Sequence, residues 1–497
     1  MCVLWACGTV AHAQAPIAPA RAAQIERSVV KIFTTVRQPD VYRPWNKSAP
    51  VEATGSGVVI EGNRILTNAH VVNYGSKIEI QAKEGGDRLP AKLVAIGRGI
   101  DLAVLELEDP SFFTTRSAPV RASVLPEVKD AVLAYGYPLG GRSLSITKGI
   151  VSRIEYVQYN YPTEGLRIQI DAGINPGNSG GPVFVGDKMI GVAFAGVLSA
   201  QNIGYIIPNE EVELFLQDIA DGVYEGKPTM FDDLQSLENA ALRSYLKLDK
   251  SARGLVVQRP AVSDANYPLK EWDLITHIGN YPIDNQGLVR LTDDINVRFQ
   301  YKVQQVSKGG KLPLTIVRAG KTMKVDVPVT PNRPRLVGSL NGTYPEYFVY
   351  GPIVFSRATV EFRSYFSNNA NSLNALAFNA HPLVTRIGEE PDADREDLVV
   401  VSAPFFPHRL LSGYDGRFGS VVYSINNIAI RSLRHMVEVL RDMKDEFVVI
   451  KFDQRSGESI VLPHKKVMES TEEILRDNGI RALASSDLLD VWQRKAP

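Results

Sequence analysis

Residues 173–184 read GINPGNSGGPVF. Four of these twelve residues are glycine, two are proline, and a single serine, Ser179, sits among them. Glycine adopts positive φ at little cost, so Gly177 could turn the chain and aim its own N–H and that of Ser179 at one point. A serine hydroxyl is a weak nucleophile at its ordinary pKa. It needs a base within hydrogen-bond reach and donors for the oxyanion that forms. The stretch could supply those donors. Taken alone, it reads equally well as a glycine-rich hairpin loop. It also matches G-x-S-x-G, the nucleophile elbow of α/β-hydrolases, but that motif needs a strand running into the serine and a helix leaving it. Here Pro176 precedes, and Pro182 opens a strand-like VFVG.

The decision comes from upstream. The segment GSGVVIEGNRILTNAHVV places His70 at the end of a strand, and RGIDLAVLELE places Asp101 at the start of another. A lone histidine in an apolar run is usually packed, and an aspartate before a strand is usually a turn or cap residue. Their order changes the reading: His70, Asp101 and Ser179 follow the chymotrypsin order of the Ser-His-Asp triad. They also fall in a stretch, residues 23–225, that reads as all-β. Short apolar runs recur every 10–15 residues there, with Gly, Asn, Pro and Asp between them, the spacing of a barrel or sandwich. PNEEVELFLQDIADG then changes the period. A helix is expected, with Asn209 as N-cap, acids in its first turn and Gly222 as its stop.

TGSGVVI, ILTNAHVV, DLAVLEL and DAGINPGNSGGPV, together with NIGYIIPNEEV, resemble the HtrA/Deg serine proteases. GTYPEYFVYGPIVF and STEEILRDNGIRALASSDL are similar to the plant-type branch with an atypical second PDZ domain. The resemblance implies a mainly β fold: a chymotrypsin-like double β-barrel followed by two PDZ-like α+β domains. It implies an ATP-independent serine endopeptidase acting on unfolded or damaged proteins, assembled as a trimer or a trimer-based homo-oligomer. Residue by residue, it makes Ser179 the nucleophile, His70 the general base and then acid, and Asp101 the group that orients the imidazole. The N–H groups of Gly177 and Ser179 become the oxyanion hole. Gly173, six residues before the nucleophile, becomes the floor of the substrate pocket, and Phe194 and Ala195 its apolar wall. Asp171 lies too early to serve as an acidic floor, so cleavage after small or medium aliphatic residues is expected. The rival reading is a non-catalytic chaperone or scaffold on the same fold.

The expected domains are a leader at 1–22, the protease domain at 23–225, a first PDZ domain at 226–335, a second, atypical one at 336–466, and a helical tail at 467–497. A capping-box pattern from Ser470 to Glu473 is expected to start a helix in the tail. VYEGKPTM reads as a linker. The loop that would hold a peptide carboxylate in the first PDZ unit falls at TMFDDLQ, where Asp232 and Asp233 would repel it. In the second unit, YGPIVF occupies the corresponding place. The two units are expected mainly to set oligomeric contacts, and YGYPLGGRSLSITKG is the loop region expected to reorder on activation.

Composition narrows the classes. The 497 residues carry 55 Lys plus Arg and 55 Asp plus Glu, which gives no electrostatic footprint for nucleic acid. About three domains are expected at ~150 residues each. No run reaches the ~18 apolar residues that span a bilayer. The N-terminus is apolar and reads Ala11-His12-Ala13, a signal-peptidase pattern that points to export, to a bacterial periplasm. Both cysteines, Cys2 and Cys7, fall in that leader, so no disulfide framework and no cysteine-based metal site is expected. The remaining histidines lack metal-ligand spacing, and neither cofactor nor metal is expected.

Overall fold

The computed structural model describes residues 18–82, 85–141, 143–160, 163–196, 203–293, 295–367, 370–453 and 458–494. The leader motif at residues 11–13 lies outside them. The chain divides into two compact units: residues 1–36 with 52–332, and residues 37–51 with 333–497.

The first unit begins with helix α1 (Pro19–Ser28) and two closed barrels of six strands each. The first barrel holds β1 (Val29–Val36), β2 (Val51–Ile60), β3 (Arg64–Thr67), β4 (Gly75–Gln81), β5 (Leu89–Gly97) and β6 (Leu102–Leu107) in the order β1-β2-β3-β6-β5-β4. The second holds β7 (Ala131–Gly136), β8 (Ser145–Asn160), β9 (Thr163–Ile170), β10 (Pro182–Val185), β11 (Lys188–Gly196) and β12 (Gly204–Pro208) in the order β10-β11-β12-β9-β8-β7. The chain thus repeats one six-strand path twice. Closure leaves neither sheet with a free edge.

Two apolar clusters explain why the barrels stay together. One fills the first barrel, around Ile32, Ile65, Ile80 and Leu105. The other joins Val58, Leu66 and Val104 of the first barrel to Tyr135, Phe184, Val192 and Ile207 of the second. The seam between barrels is therefore dry on its inner side, and loops from both barrels meet along it.

Helix α2 (Ala69–Val72) follows β3, and α3 (Asn209–Asp218) closes the second barrel. The expected cap of α3 is corrected: Pro208 is the N-cap residue, with no side-chain capping bond. Asn209 Nδ2 instead donates to Ala122 O and Met189 O at 3.1 and 2.7 Å, tying the helix to its barrel. Glu211 is fully buried rather than solvated in the first turn. It accepts from the Leu166 N–H at 2.7 Å and pairs with Lys227 at 2.5 Å. The residue that looked like linker thus anchors the helix, and burial lowers the Lys227 pKa. Gly222 does end the helical segment, at φ +91°.

Residues 233–328 form an antiparallel sheet in the order Asp233–Ser236, Leu255–Arg259, Leu274–Ile278, Lys311–Arg318, Lys321–Pro328. Its core, including Leu255, Ile275, Leu314 and Tyr301, is continuous with that of the second barrel through Ile154 and Ile168. Tyr156 and Tyr301 meet edge to face at 6.3 Å. Asp232 and Asp233 do not stand free in the peptide-capture position. Asp232 accepts from the Ala261 N–H and from the Tyr267 hydroxyl, at 2.9 and 3.0 Å, and Asp233 pairs with Arg259.

In the second unit, one sheet runs Tyr347–Tyr350, Ile353–Arg357, Val399–Val401, and another Ile428–Ala429, Val422–Ile425, Phe447–Phe452, Ile460–Pro463. YGPIVF forms the hairpin turn of the first sheet, with Tyr350 paired to Ile353. Residues 37–51 belong to this unit: Tyr42 packs on Tyr365 at 4.6 Å and Trp45 on Phe406 at 5.8 Å. The expected helix start at Ser470 is corrected. The helix begins at His464, after Pro463, and Ser470 is a buried mid-helix residue. A last helix, Ser486–Gln493, places Leu488 and Val491 in one core with Val437 and Leu440 of the helix Leu433–Arg441.

Candidate active site

The base half of the site is built by β3, α2 and the turn into β6. Asp101 stands just before β6 in a left-handed conformation, φ +61°. A non-glycine residue there carries strain on the order of 1 kcal/mol. The result is a carboxylate gripping His70 twice. Oδ1 accepts from the His70 backbone N–H at 2.8 Å, and Oδ2 lies 2.7 Å from Nδ1. The second contact puts the Nδ1 proton on the Asp101 side and leaves Nε2 as the basic nitrogen. The Asp101 side chain is only 8% exposed while that of His70 is 49% exposed, so the acid is shielded and the imidazole faces outward. Asn68 completes this half. Its Nδ2 donates to Asp101 O at 3.0 Å, so the side chain one would expect to cap α2 holds the acid instead.

The nucleophile half lies at residues 175–181, between β9 and β10. Three consecutive peptide planes are each held by their carbonyls. Pro176 O accepts from the Leu139 N–H at 2.8 Å, Gly177 O from the Ser56 hydroxyl at 2.7 Å, and Asn178 O from the Gly181 N–H at 3.0 Å. In a trans peptide the N–H points opposite to the C=O. The first and third planes therefore turn the N–H groups of Gly177 and Ser179 away from their anchors, and neither donates a hydrogen bond among the described residues. Gly177 sits at φ +100°, and a Cβ there would lie 2.5 Å from Tyr137 O and 2.7 Å from Leu139 N. Only glycine fits. The Ser179 hydroxyl donates to Phe194 O at 3.3 Å, and no hydrogen bond joins it to His70.

The paired His70 and Asp101 thus belong to the first barrel and Ser179 to the loop that enters the second. A trypsin-like peptidase domain model matches residues 55–192, and a PDZ domain model matches residues 339–487. Protease Do-like 2, chloroplastic, from Arabidopsis thaliana is 32% identical over 470 residues, covering 94% of this chain and 76% of that protein. The chain belongs to the HtrA/Do-like protease family. Protease Do-like 4, mitochondrial, from the same plant is 32% identical over 451 residues, covering 90% of this chain and 83% of that one. Among solved structures, the HtrA-type protease AlgW with tripeptide superposes with a TM-score of 0.50 at 24% identity, covering 63% of this chain and 97% of that one. That likeness supports the double-barrel fold alone. This Do-like chain is a peptide-bond hydrolase of the serine-protease class, mainly β, with its PDZ region at the C-terminal end.

Gly173 is half-buried, and a Cβ on it would meet nothing within 4 Å, so open space adjoins it. Phe194 is a core residue of the seam. Its side chain is 6% exposed in the seam core, with the Arg167 guanidinium 5.0 Å from its ring, and it is its carbonyl that reaches Ser179. Ala195 lies in β11, paired with Tyr205, and its side chain is outside the described residues. Sequence reading missed Ser56 and Asn68. Their bonds run from side chain to backbone across 121 and 33 positions, a separation no local pattern reports.

A cleft of about 580 Å³ lined by Glu61, Arg121, Asn209, Glu210 and Glu213 shares no residue with this site. Glu61 and Glu213 both engage Arg121, at 3.1 and 3.2 Å. Among the described residues, no group of three or more His, Cys, Asp or Glu side chains is arranged to hold a metal ion, and no helix is long and apolar enough to cross a membrane.

Proposed function

We propose that this protein is a serine endopeptidase working through an acyl-enzyme, with His70, Asp101 and Ser179 as its triad. The observation that carries the reading is the double grip of Asp101 on His70, together with a serine whose own N–H and that of Gly177 donate no hydrogen bond among the described residues. The Ser179 side chain leaves Phe194 O by rotation about χ1 and gives its proton to His70 Nε2 as Oγ attacks the scissile carbonyl. Asp101 keeps the Nδ1 proton in place and stabilises the imidazolium that results. The oxyanion accepts from the N–H groups of Gly177 and Ser179. His70 then protonates the leaving amine, and water repeats the sequence to release the acid.

The pocket reading rests on Gly173 with open space beside it and with no acid at its position, which supports cleavage after small or medium aliphatic residues. The substrates are unfolded or damaged proteins, cleaved without ATP. The domain limits are those set out above: leader 1–22, protease 23–225, PDZ units 226–335 and 336–466, tail 467–497. The PDZ units govern assembly into a trimer-based homo-oligomer, and the saturated Asp232 and Asp233 favour that role over capture of peptide C-termini. Export to a periplasm rests on residues 11–13, whereas the plant relatives carry chloroplastic and mitochondrial names. The test is casein hydrolysis without ATP by wild type and by Ser179→Ala. Cleavage that the variant loses by ~10⁴-fold or more is expected. Equal inertness of both would favour the scaffold reading.

A further inference from the structure

The mobile element of an oxyanion hole is its glycine. Gly177 has no Cβ to restrict its rotation, and of its two flanking peptide planes the one before it carries its own N–H, while the second donor, the Ser179 N–H, lies one plane further on. Two of the three planes at residues 176–179 bear the donors. The plane between them, with Gly177 O and the Asn178 N–H, bears none, yet its rotation would carry both neighbours with it. That middle plane is pinned on both edges: Asn178 N–H donates to Asn175 O at 3.0 Å, and Gly177 O accepts from the Ser56 hydroxyl at 2.7 Å.

Ser56 is unusually committed to this loop. It lies in β2 and is 0% exposed. Its own N–H donates to Ser179 O at 2.8 Å, and its carbonyl accepts from the Thr67 hydroxyl at 2.7 Å. A Cβ on Gly180 would lie 2.0 Å from that same carbonyl, so the loop is pressed against it. Its hydroxyl oxygen also accepts from the Tyr137 N–H at 2.8 Å. The hydroxyl therefore stands in a chain, Tyr137 N–H to Ser56 Oγ–H to Gly177 O, in which each bond polarises the next. Two residues on, Leu139 N–H holds Pro176 O. The segment at 137–139 thus reaches the nucleophile loop at two points, one directly and one through Ser56.

We propose that Ser56 is a positioning residue for the hydrolysis: its hydroxyl fixes the Gly177–Asn178 peptide plane and so aims the two oxyanion donors, and it makes that aim depend on the placement of residues 137–139. This rests on the oxyanion-hole reading above. Ser56 touches neither substrate nor the reacting atoms. Its contribution is realised when negative charge develops, because a misaimed donor still allows substrate to bind. The loss on removing it is bounded by the ~100–1000-fold typical of losing a donor outright.

The test uses the full chain. Casein turnover is measured for wild type, Ser56→Ala and Ser179→Ala, with rates referred to active sites counted by serine titration. Inhibition by a peptide aldehyde is measured alongside, since it adds to the nucleophile to form a tetrahedral oxyanion. For Ser56→Ala the expected result is a kcat lowered ~10–100-fold, a KM within about twofold, and aldehyde affinity lowered by a factor similar to that in kcat/KM. Should Ser56→Ala melt below the assay temperature, Ser56→Cys keeps the volume with a weaker donor and carries the same expectation at smaller size. Wild-type kcat per active site in the folded variant overturns the proposal, and so does a loss confined to the number of active sites. Wild type and Ser179→Ala being equally inert would remove the reading on which it rests. A wild type that depends on Ser179 beside an unaffected Ser56→Ala would remove this inference alone.

Discussion

The loop at residues 175–181 and the segment at residues 231–236 both gather polar groups at the ends of strands, yet they end in opposite states. In the first, the carbonyls of residues 175–179 are all held, while the N–H groups of Gly177 and Ser179 find no acceptor among the described residues. In the second, the carboxylates of Asp232 and Asp233 are fully engaged by Ala261, Tyr267 and Arg259. Buried polar groups are normally paired, and an unpaired one costs about 1–3 kcal/mol. Leaving donors open is therefore a feature that needs a use, whereas saturating carboxylates is ordinary construction. On the proposed oxyanion-hole reading, the difference separates a surface prepared to receive a ligand atom from one whose polar groups are spent within the sheet.

The contrast breaks most readily at Gly177. Gly177→Ala places a Cβ against Tyr137 O and Leu139 N, 2.5 and 2.7 Å away, at a φ that side chains avoid. We expect kcat on casein to fall ~100–1000-fold with little change in KM. An alanine variant of near wild-type kcat would mean that the free N–H groups are incidental.

Asp397, in the second unit, is an intermediate case and sharpens the rule. It is a partly buried carboxyl with one hydrogen bond at Oδ1, from the Leu433 N–H at 3.1 Å. Burial pushes its pKa up to about 7; Arg357 and that N–H pull it down, while Glu346 and Glu396 push it further up. A raised carboxyl pKa means the folded state holds the proton longer than the unfolded chain. The associated stability is present below about pH 4 and is lost as pH rises through 7. Asp397→Asn should remove up to about 4 kcal/mol of that pH dependence. Chemical denaturation at pH 4.5 and 8 reads it directly. An equal pH slope in both proteins contradicts the assignment.

The smallest effect is expected in the saturated segment. Asp232→Ala removes the carboxylate that accepts from the Ala261 N–H and the Tyr267 hydroxyl and should cost about 1–3 kcal/mol in stability. It should leave kcat on a short peptide unchanged. A selective loss of kcat at unchanged stability would show that this segment serves the catalytic cleft after all.

How much of this could be read in advance follows from where each signal resides. The pairing of His70 with Asp101 was legible because both sit in strand-end motifs, and their order before Ser179 along the chain is what made the three candidates for a triad. The two barrels were legible as evenly spaced apolar runs. Groups that work through the backbone were not. Asn209 looks like a helix cap in sequence but spends its amide on Ala122 and Met189. Phe194 reads as a pocket wall, and the local pattern does not report that its ring joins the seam core or that its carbonyl accepts from the Ser179 hydroxyl. Asp232 and Asp233 read as repulsive because their partners, 26 to 35 positions away, are invisible to local inspection. Ser470 looked like a helix start since its neighbours fit a capping box, yet the helix is already under way from His464.

The central claim is that Ser179 is a nucleophile activated by His70. Its most direct test is labelling of the full chain by an alkyl fluorophosphonate, read by intact mass and peptide mapping for wild type and His70→Ala. The account predicts one adduct per chain, located on Ser179, forming at least ~10³-fold more slowly once the imidazole is gone. An adduct on another residue, or labelling of Ser179 at the same rate without His70, would contradict it.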